Sequence, residues 1–137
     1  YQNRLRMGAL RNLSLTLIDY QDGTLSISGQ HEEVIVVRTD GTVERIDTFD
    51  LGYPVGLIDN ISEFTAQQHI NLAVGDTVVL YTDGITEAET CDRKFYGLDR
   101  LIEVAQQHSP QPAAAIRAAI IADVHAHIGD HTIYDDI

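Results

Sequence analysis

Val78-Val79-Leu80-Tyr81-Thr82-Asp83-Gly84-Ile85-Thr86-Glu87-Ala88 is the stretch on which the reading of the chain turns. Strand-forming residues run from Thr77 to Tyr81 behind a turn signal, Gly75-Asp76. The run then delivers a carboxylate, Asp83, and is expected to break at Gly84. A strand buried on both faces gains nothing by ending on a charge that must be desolvated. A strand ending at a site does gain, because rigid backbone holds the carboxylate against a cation. Asp-Gly is also a common surface-turn dipeptide, and spacing alone leaves both readings open.

Upstream, Leu13, Leu15 and Leu17 alternate with Ser14, Thr16 and Ile18 in a strand-like pattern. Gln21-Asp22-Gly23 reads as a hairpin turn, after which Thr24-Leu25-Ser26-Ile27-Ser28 resumes the alternation. Val34 to Val37 is a continuous β-branched run, and Asp40-Gly41 marks a second hairpin into Thr42–Ile46. Leu51 to Leu57, with two glycines and a proline, is irregular: a loop beside a site or a crossover between sheets. Phe64 to Leu72 reads as a further strand.

Beyond Glu89 the period changes. Leu98, Leu101, Ile102 and Ala105 fall at helical spacing behind Gly97. A second helix follows Pro110 and Pro112, with Ile116, Ile120, Ile121, Val124 and Ile128 on one stripe and Gly129 as its stop. His125 and His127, two apart, point to different faces and cannot share one metal from that helix. Thr132 to Ile137 returns to strand character and carries the adjacent acids Asp135 and Asp136. Strands, then helices, then strand indicate an α+β fold in which hairpins build two antiparallel sheets and the helices cover one of them.

Composition excludes several functions. With a formal net charge of −12 and only 9 lysines and arginines, the 137 residues lack the basic footprint of a nucleic-acid binder or of docking on an anionic membrane. No apolar run approaches the ~20 residues of a membrane span, and no secretory signal is visible. Cys91 stands alone, so neither an intramolecular disulfide nor a cysteine-based zinc site is available, and an intracellular setting is expected. Phosphate loops, Gly-x-Ser-x-Gly and His-Glu-x-x-His are absent from the sequence. Carboxylates at strand ends remain, an oxygen donor set suited to Mg²⁺ or Mn²⁺. A dehalogenase-type phosphatase needs an aspartate nucleophile two residues before Asp83; that position is Tyr81.

Leu80 to Ala88 closely resembles the metal-site strand of the PPM, or protein phosphatase 2C-like, Ser/Thr phosphatases, in the bacterial SpoIIE-type branch. Ser28-Gly29-Gln30-His31-Glu32 resembles that family's Ala-Gly-His-Pro-like turn, and Gly52 to Leu57 its Gly-x-Pro-(Leu/Val/Ile)-Gly-Leu loop. Leu72-Ala73-Val74-Gly75-Asp76 is similar to its Leu-x-x-Gly-Asp turn, and Phe95 to Leu101 to its (Phe/Tyr)-Gly-x-x-Arg-Leu helix start. Tyr134-Asp135-Asp136-Ile137 matches the opening of its Asp-Asp-Ile-Thr strand. Gln30-His31-Glu32 and the histidine-bearing helix look most like cyanobacterial members.

The resemblance implies an antiparallel β-sandwich flanked by helices, with a dinuclear Mn²⁺ or Mg²⁺ centre. By position Asp83 is a metal ligand, Gly84 lets backbone approach the site, and Asp135 is the second ligand. Asp136, facing the opposite way in a strand, is the weaker candidate. The implied reaction is attack of a metal-activated water on phosphoserine or phosphothreonine of a phosphorylated protein, such as an anti-sigma-factor antagonist, in the cytoplasm. The family's upstream Asp-x-x-Gly-His-Gly acids have no counterpart here, so residues 1–137 are expected to be part of a catalytic domain, incomplete at both ends and inactive alone. The alternative is a catalytically inactive phosphatase-like module used for binding or regulation.

Overall fold

The computed structural model describes residues 15–52 and 66–129. The expected strand content of residues 12–14, 64–65 and 132–137, and the loop from Tyr53 onward, lie outside the described residues. The described chain is α+β with two antiparallel three-stranded sheets, as expected, and carries the two expected helices and a third, single-turn one. It divides into two compact units that interleave in sequence: residues 1–31 with 48–71, and 32–47 with 72–137.

The first unit holds the sheet β1-β2-β5, formed by Leu17–Gln21, Thr24–Ser28 and Gln67–Asn71. The Asp22-Gly23 turn joins β1 to β2 with Gln21 opposite Thr24, the hairpin expected from the sequence. Alternation sorts the faces of β2. Leu25 and Ile27 are buried, with Ile70 of β5 opposite Leu25, whereas Ser26 faces His69 and shares a 2.9 Å hydrogen bond with it. β1 departs from the alternating, half-buried expectation: every residue is exposed, Leu17 and Tyr20 each at 64%. It is the outer strand of this sheet and pairs only with β2 among the described residues.

The second unit holds the sheet β4-β3-β6: Val43–Ile46, Val34–Val37 and Thr77–Val79. β3 is its central strand, and all four of its side chains are buried. Ile35 and Val37 join Val79 in one core with Leu101 and Ala105 of α2 (Leu98–His108) and with Ile116, Ile120, Val124 and Ile128 of α3 (Ala113–Ile128). Of the predicted helical stripes these residues are buried, while Leu98, Ile102 and Ile121 are partly buried against the same core, and the helices cover this sheet as expected.

The Leu72–Asp76 turn before β6 is fixed by charge. The Asp76 side chain is 2% exposed and accepts from the Ala73 amide at 2.9 Å, the Thr39 amide at 3.2 Å and Arg38 Nη1 at 2.7 Å. Arg38 also donates to both oxygens of Glu44 at 2.8 and 3.0 Å. The Ala73 amide, followed by Arg38, holds the Asp76 carboxyl below the usual carboxylate range. A carboxylate whose folded value is depressed contributes stability above its unfolded value of about 3.9 and loses it as pH falls through the folded one. Asp76→Asn is thus expected to lower the thermal midpoint by several degrees at pH 7. The deficit should narrow toward pH 3, which circular-dichroism melts at the two pH values would test.

Candidate metal centre

The strand predicted over Thr77–Tyr81 ends at Val79. Leu80 and Tyr81 continue outside the sheet, Thr82 is extended (φ −108°, ψ 163°), and Asp83–Thr86 form a single helical turn, α1. Asp83 is the first residue of that turn, not a residue at a strand end. The Ile85 amide donates to the Thr82 carbonyl at 3.1 Å, and the Glu87 amide to the Asp83 carbonyl at 2.7 Å. Gly84 does not break the chain as expected; it is the second, buried residue of the turn. The reason lies in the next side chain, because Ile85 and Ala88 drop into the helix-covered core and pull the backbone into a turn there.

This mount leaves the Asp83 side chain exposed. Among the described residues no donor takes up its carboxylate. Unspent oxygens on a backbone pinned by its neighbours suit a hard divalent cation, which prefers few carboxylates and several waters. The donor type fits Mn²⁺ or Mg²⁺, although among the described residues no three His, Cys, Asp or Glu side chains gather as a ligand set. Asp135 and Asp136 lie outside the described residues.

The surroundings narrow the chemistry further. Tyr81 has its phenol pushed up to about 12, chiefly by burial and then by Glu32 and Glu33, so it stays protonated at neutral pH. It supplies neither a carboxylate nor a phenolate nucleophile. Beside β6 runs a groove of about 520 Å³ lined by Val79, Tyr81, Leu101, Ile116 and Ile120, with Arg117 its one charged lining residue. Asp83 does not line it, although Thr82 and Ile85 of the same segment do.

Two other quoted motifs meet in the first unit. The Gly29 amide donates to the Leu51 carbonyl at 3.0 Å. Buried Thr48 accepts from the His31 amide at 3.0 Å and donates to the His31 carbonyl. The 28–32 turn is thus tied to the residues leading into Gly52. His31 is placed by its backbone within this tie.

Sequence reasoning missed a cluster that joins α2 to α3. Arg100 donates to both oxygens of Asp123 at 2.8 and 2.9 Å, and the Tyr96 hydroxyl donates to the same carboxylate at 2.8 Å. His127 bonds Arg100 Nη1 at 3.1 Å and the Lys94 carbonyl at 2.9 Å, while His125 is exposed. Arg100 lies in the quoted Phe95–Leu101 motif, but no spacing rule links it to Asp123 on another helix.

The family described as Stage II sporulation protein E (SpoIIE) matches residues 3–137. The chain belongs to the SpoIIE family. Protein IcfG of Synechocystis is 30% identical over 132 residues, which are 96% of this chain and 20% of that protein. The SiaA-PP2C domain of Pseudomonas aeruginosa superposes with a TM-score of 0.69 at 22% identity, over 90% of this chain and 47% of that one. The phosphatase domain of SpoIIE from Bacillus subtilis, presoaked with Mn, gives 0.59 at 19% identity, over 91% and 52%. The SpoIIE-family chain spans about half the length of these solved phosphatase domains and a fifth of IcfG. Its fold is that of the PP2C-type phosphatases. No helix among the described residues is long and apolar enough to cross a membrane.

Proposed function

We propose that residues 1–137 form part of the catalytic domain of a metal-dependent phosphoprotein phosphatase that hydrolyses phosphoserine or phosphothreonine in cytoplasmic signalling. The observation that carries this reading is Asp83: an exposed carboxylate with no protein partner among the described residues, on a turn anchored by Ile85 and Ala88, in a chain of the SpoIIE family. Asp83 is one ligand and Asp135 the second, with Asp136 the weaker candidate. The remaining ligands come from the part of the domain that the relatives possess and these residues do not span.

When bound, a pair of Mn²⁺ or Mg²⁺ ions supplies a water acidified toward neutral pH and positive charge for the phosphoryl oxygens. The chain's own contribution is placement. β6 and the core side chains under α1 fix the Asp83 backbone, leaving its carboxylate to face solvent and substrate. The substrate class is a phosphorylated protein, with an anti-sigma-factor antagonist as the expected kind.

The test is hydrolysis of a generic aryl phosphate by the full-length protein. Activity should disappear with EDTA and return with Mn²⁺ or Mg²⁺. Turnover indifferent to the chelator overturns the reading, and absence of turnover with either metal favours the inactive regulatory module.

A further inference from the structure

The chain leaves α1 through a short closed loop. Glu89 pairs antiparallel with Phe95, the Thr90 amide donates to the Lys94 carbonyl at 3.1 Å, and the Arg93 amide donates to the Thr90 carbonyl at 2.9 Å. The Lys94 amide also donates to the Thr90 hydroxyl at 3.2 Å. The base of the loop is fastened to the turn bearing Asp83. There the Tyr96 amide donates to the Ala88 carbonyl at 2.7 Å and the Gly97 amide to the Thr86 carbonyl at 2.9 Å. Thr86 is the last residue of α1 and Asp83 its first, so loop and candidate ligand share one mount.

In a chain of net charge −12, this loop presents cations. Arg38, Arg45 and Arg100 are each paired with a carboxylate. Arg93 and Lys94, side by side, are exposed and form no ion pair among the described residues. Phe95 beside them is 62% exposed. Arg93 also stands at φ +59°, in the left-handed region. A three-residue hairpin loop usually gives that place to glycine, which has no Cβ to strain. An arginine there strains the backbone without filling the core or neutralising a carboxylate among the described residues. That points to a use for its guanidinium outside the chain. Glu89 and Asp92 leave the loop without net charge, so its attraction is local, acting on groups within reach of the two cations.

We propose that the Thr90–Phe95 loop docks the polypeptide of the phosphoprotein substrate, with Arg93 and Lys94 taking carboxylates near the phosphoresidue and Phe95 an apolar side chain beside them. This rests on the phosphatase reading, which assigns the phosphoryl group to the Asp83 site; the loop selects the polypeptide that brings it there. The Arg93 fork suits a bidentate hold on a carboxylate, and Lys94 acts as a point charge. From Asp83 to Lys94 the path follows one helical turn, the Thr86–Gly97 bond and three residues. That is no more than about 20 Å, which about six extended residues span. An acidic stretch within about six residues of the phosphoresidue is therefore the recognised feature.

Kinetics of the full-length protein with Mn²⁺ separate docking from chemistry. The probes are a phosphoserine peptide flanked by glutamates, the same peptide with glutamines in their place, and an aryl phosphate. Arg93→Gly combined with Lys94→Gln should raise KM for the acidic peptide about tenfold or more and erase its advantage over the glutamine peptide. Its kcat and the turnover of aryl phosphate should not change. Glycine suits φ +59°, so this variant should melt no lower than wild type, which separates a KM change from a folding defect. Arg93→Lys, which keeps the charge, should retain most of the advantage. An unchanged KM for the acidic peptide, or equal losses on peptide and aryl phosphate, overturns the proposal. If the wild type turns over neither substrate, the phosphatase reading fails by itself. The loop is then judged by fluorescence anisotropy of the labelled acidic peptide in EDTA. Weaker binding by the double variant than by wild type upholds docking; equal binding, or none, overturns it.

Discussion

Asp83→Asn in the full-length protein is expected to lower Mn²⁺-dependent phosphatase turnover by more than about 100-fold. Removing groups that merely orient a metal ligand costs about 10–100-fold, and a ligand's own charge should count for more. Asparagine is nearly isosteric and keeps one oxygen, so what is lost is the negative charge. The substitution leaves the turn intact, because it is held by the Asp83 carbonyl, which accepts from the Glu87 amide at 2.7 Å and the Thr86 hydroxyl at 3.3 Å. Since the side chain is exposed and has no protein partner among the described residues, stability should stay within about 0.5 kcal/mol of wild type. Steady-state kinetics with a urea titration of both proteins checks the pair of expectations. Full activity in the variant would remove Asp83 from the chemistry. Lost activity accompanied by lost stability would assign the effect to folding.

The largest stability effect should come from Gly29→Ala, at about 3 kcal/mol. Gly29 has φ +92°, and a Cβ there would fall on the Leu15 carbonyl and within 3.2 Å of Thr16 Cα. The left-handed conformation alone costs a side chain about 1–2 kcal/mol, and forcing an atom into packed backbone adds about 1–3. Relief is blocked from the other side, because a Cβ built on Gly52 would already lie 2.9 Å from Gly29 Cα. Gly41→Ala separates the two contributions. It shares the conformation, at φ +85°, but its Cβ would meet nothing within 4 Å, so only about 1–2 kcal/mol should be lost. Urea midpoints of the two variants measure the difference. Equal losses would show that the backbone contact at Gly29 yields freely.

Much of this architecture was legible because local chemistry wrote it. Asp22-Gly23 and Asp40-Gly41 mark their hairpins, the unbroken Val34–Val37 run marks the strand buried on both faces, and the 116-120-124-128 spacing marks the core stripe of α3. Asp83 was legible as a candidate because a charge follows a strand. Its setting was not: whether Thr82-Asp83-Gly84 turns or coils depends on Ile85 finding the core, a tertiary contact that no window of sequence contains. The exposure of Leu17 and Tyr20 escaped for a similar reason, since alternation describes a strand and says nothing of its place in a sheet. Arg100 with Asp123 and His127 escaped because spatial neighbours on two helices leave no periodic trace.

The interleaving of the two units bears on how the chain is made. The β3–β4 hairpin belongs to the second unit but is encoded between the two segments of the first. It emerges from a ribosome before β6 and all three helices, the partners that complete its sheet and cover Ile35 and Val37. Until Thr77 and the residues after it follow, one of the most apolar strands in the molecule has an unpaired edge and an uncovered face, the combination that invites pairing with another chain. Slowing synthesis through residues 47–77 is therefore expected to lower the yield of correctly assembled protein. Neither unit can be excised as a continuous piece of the gene.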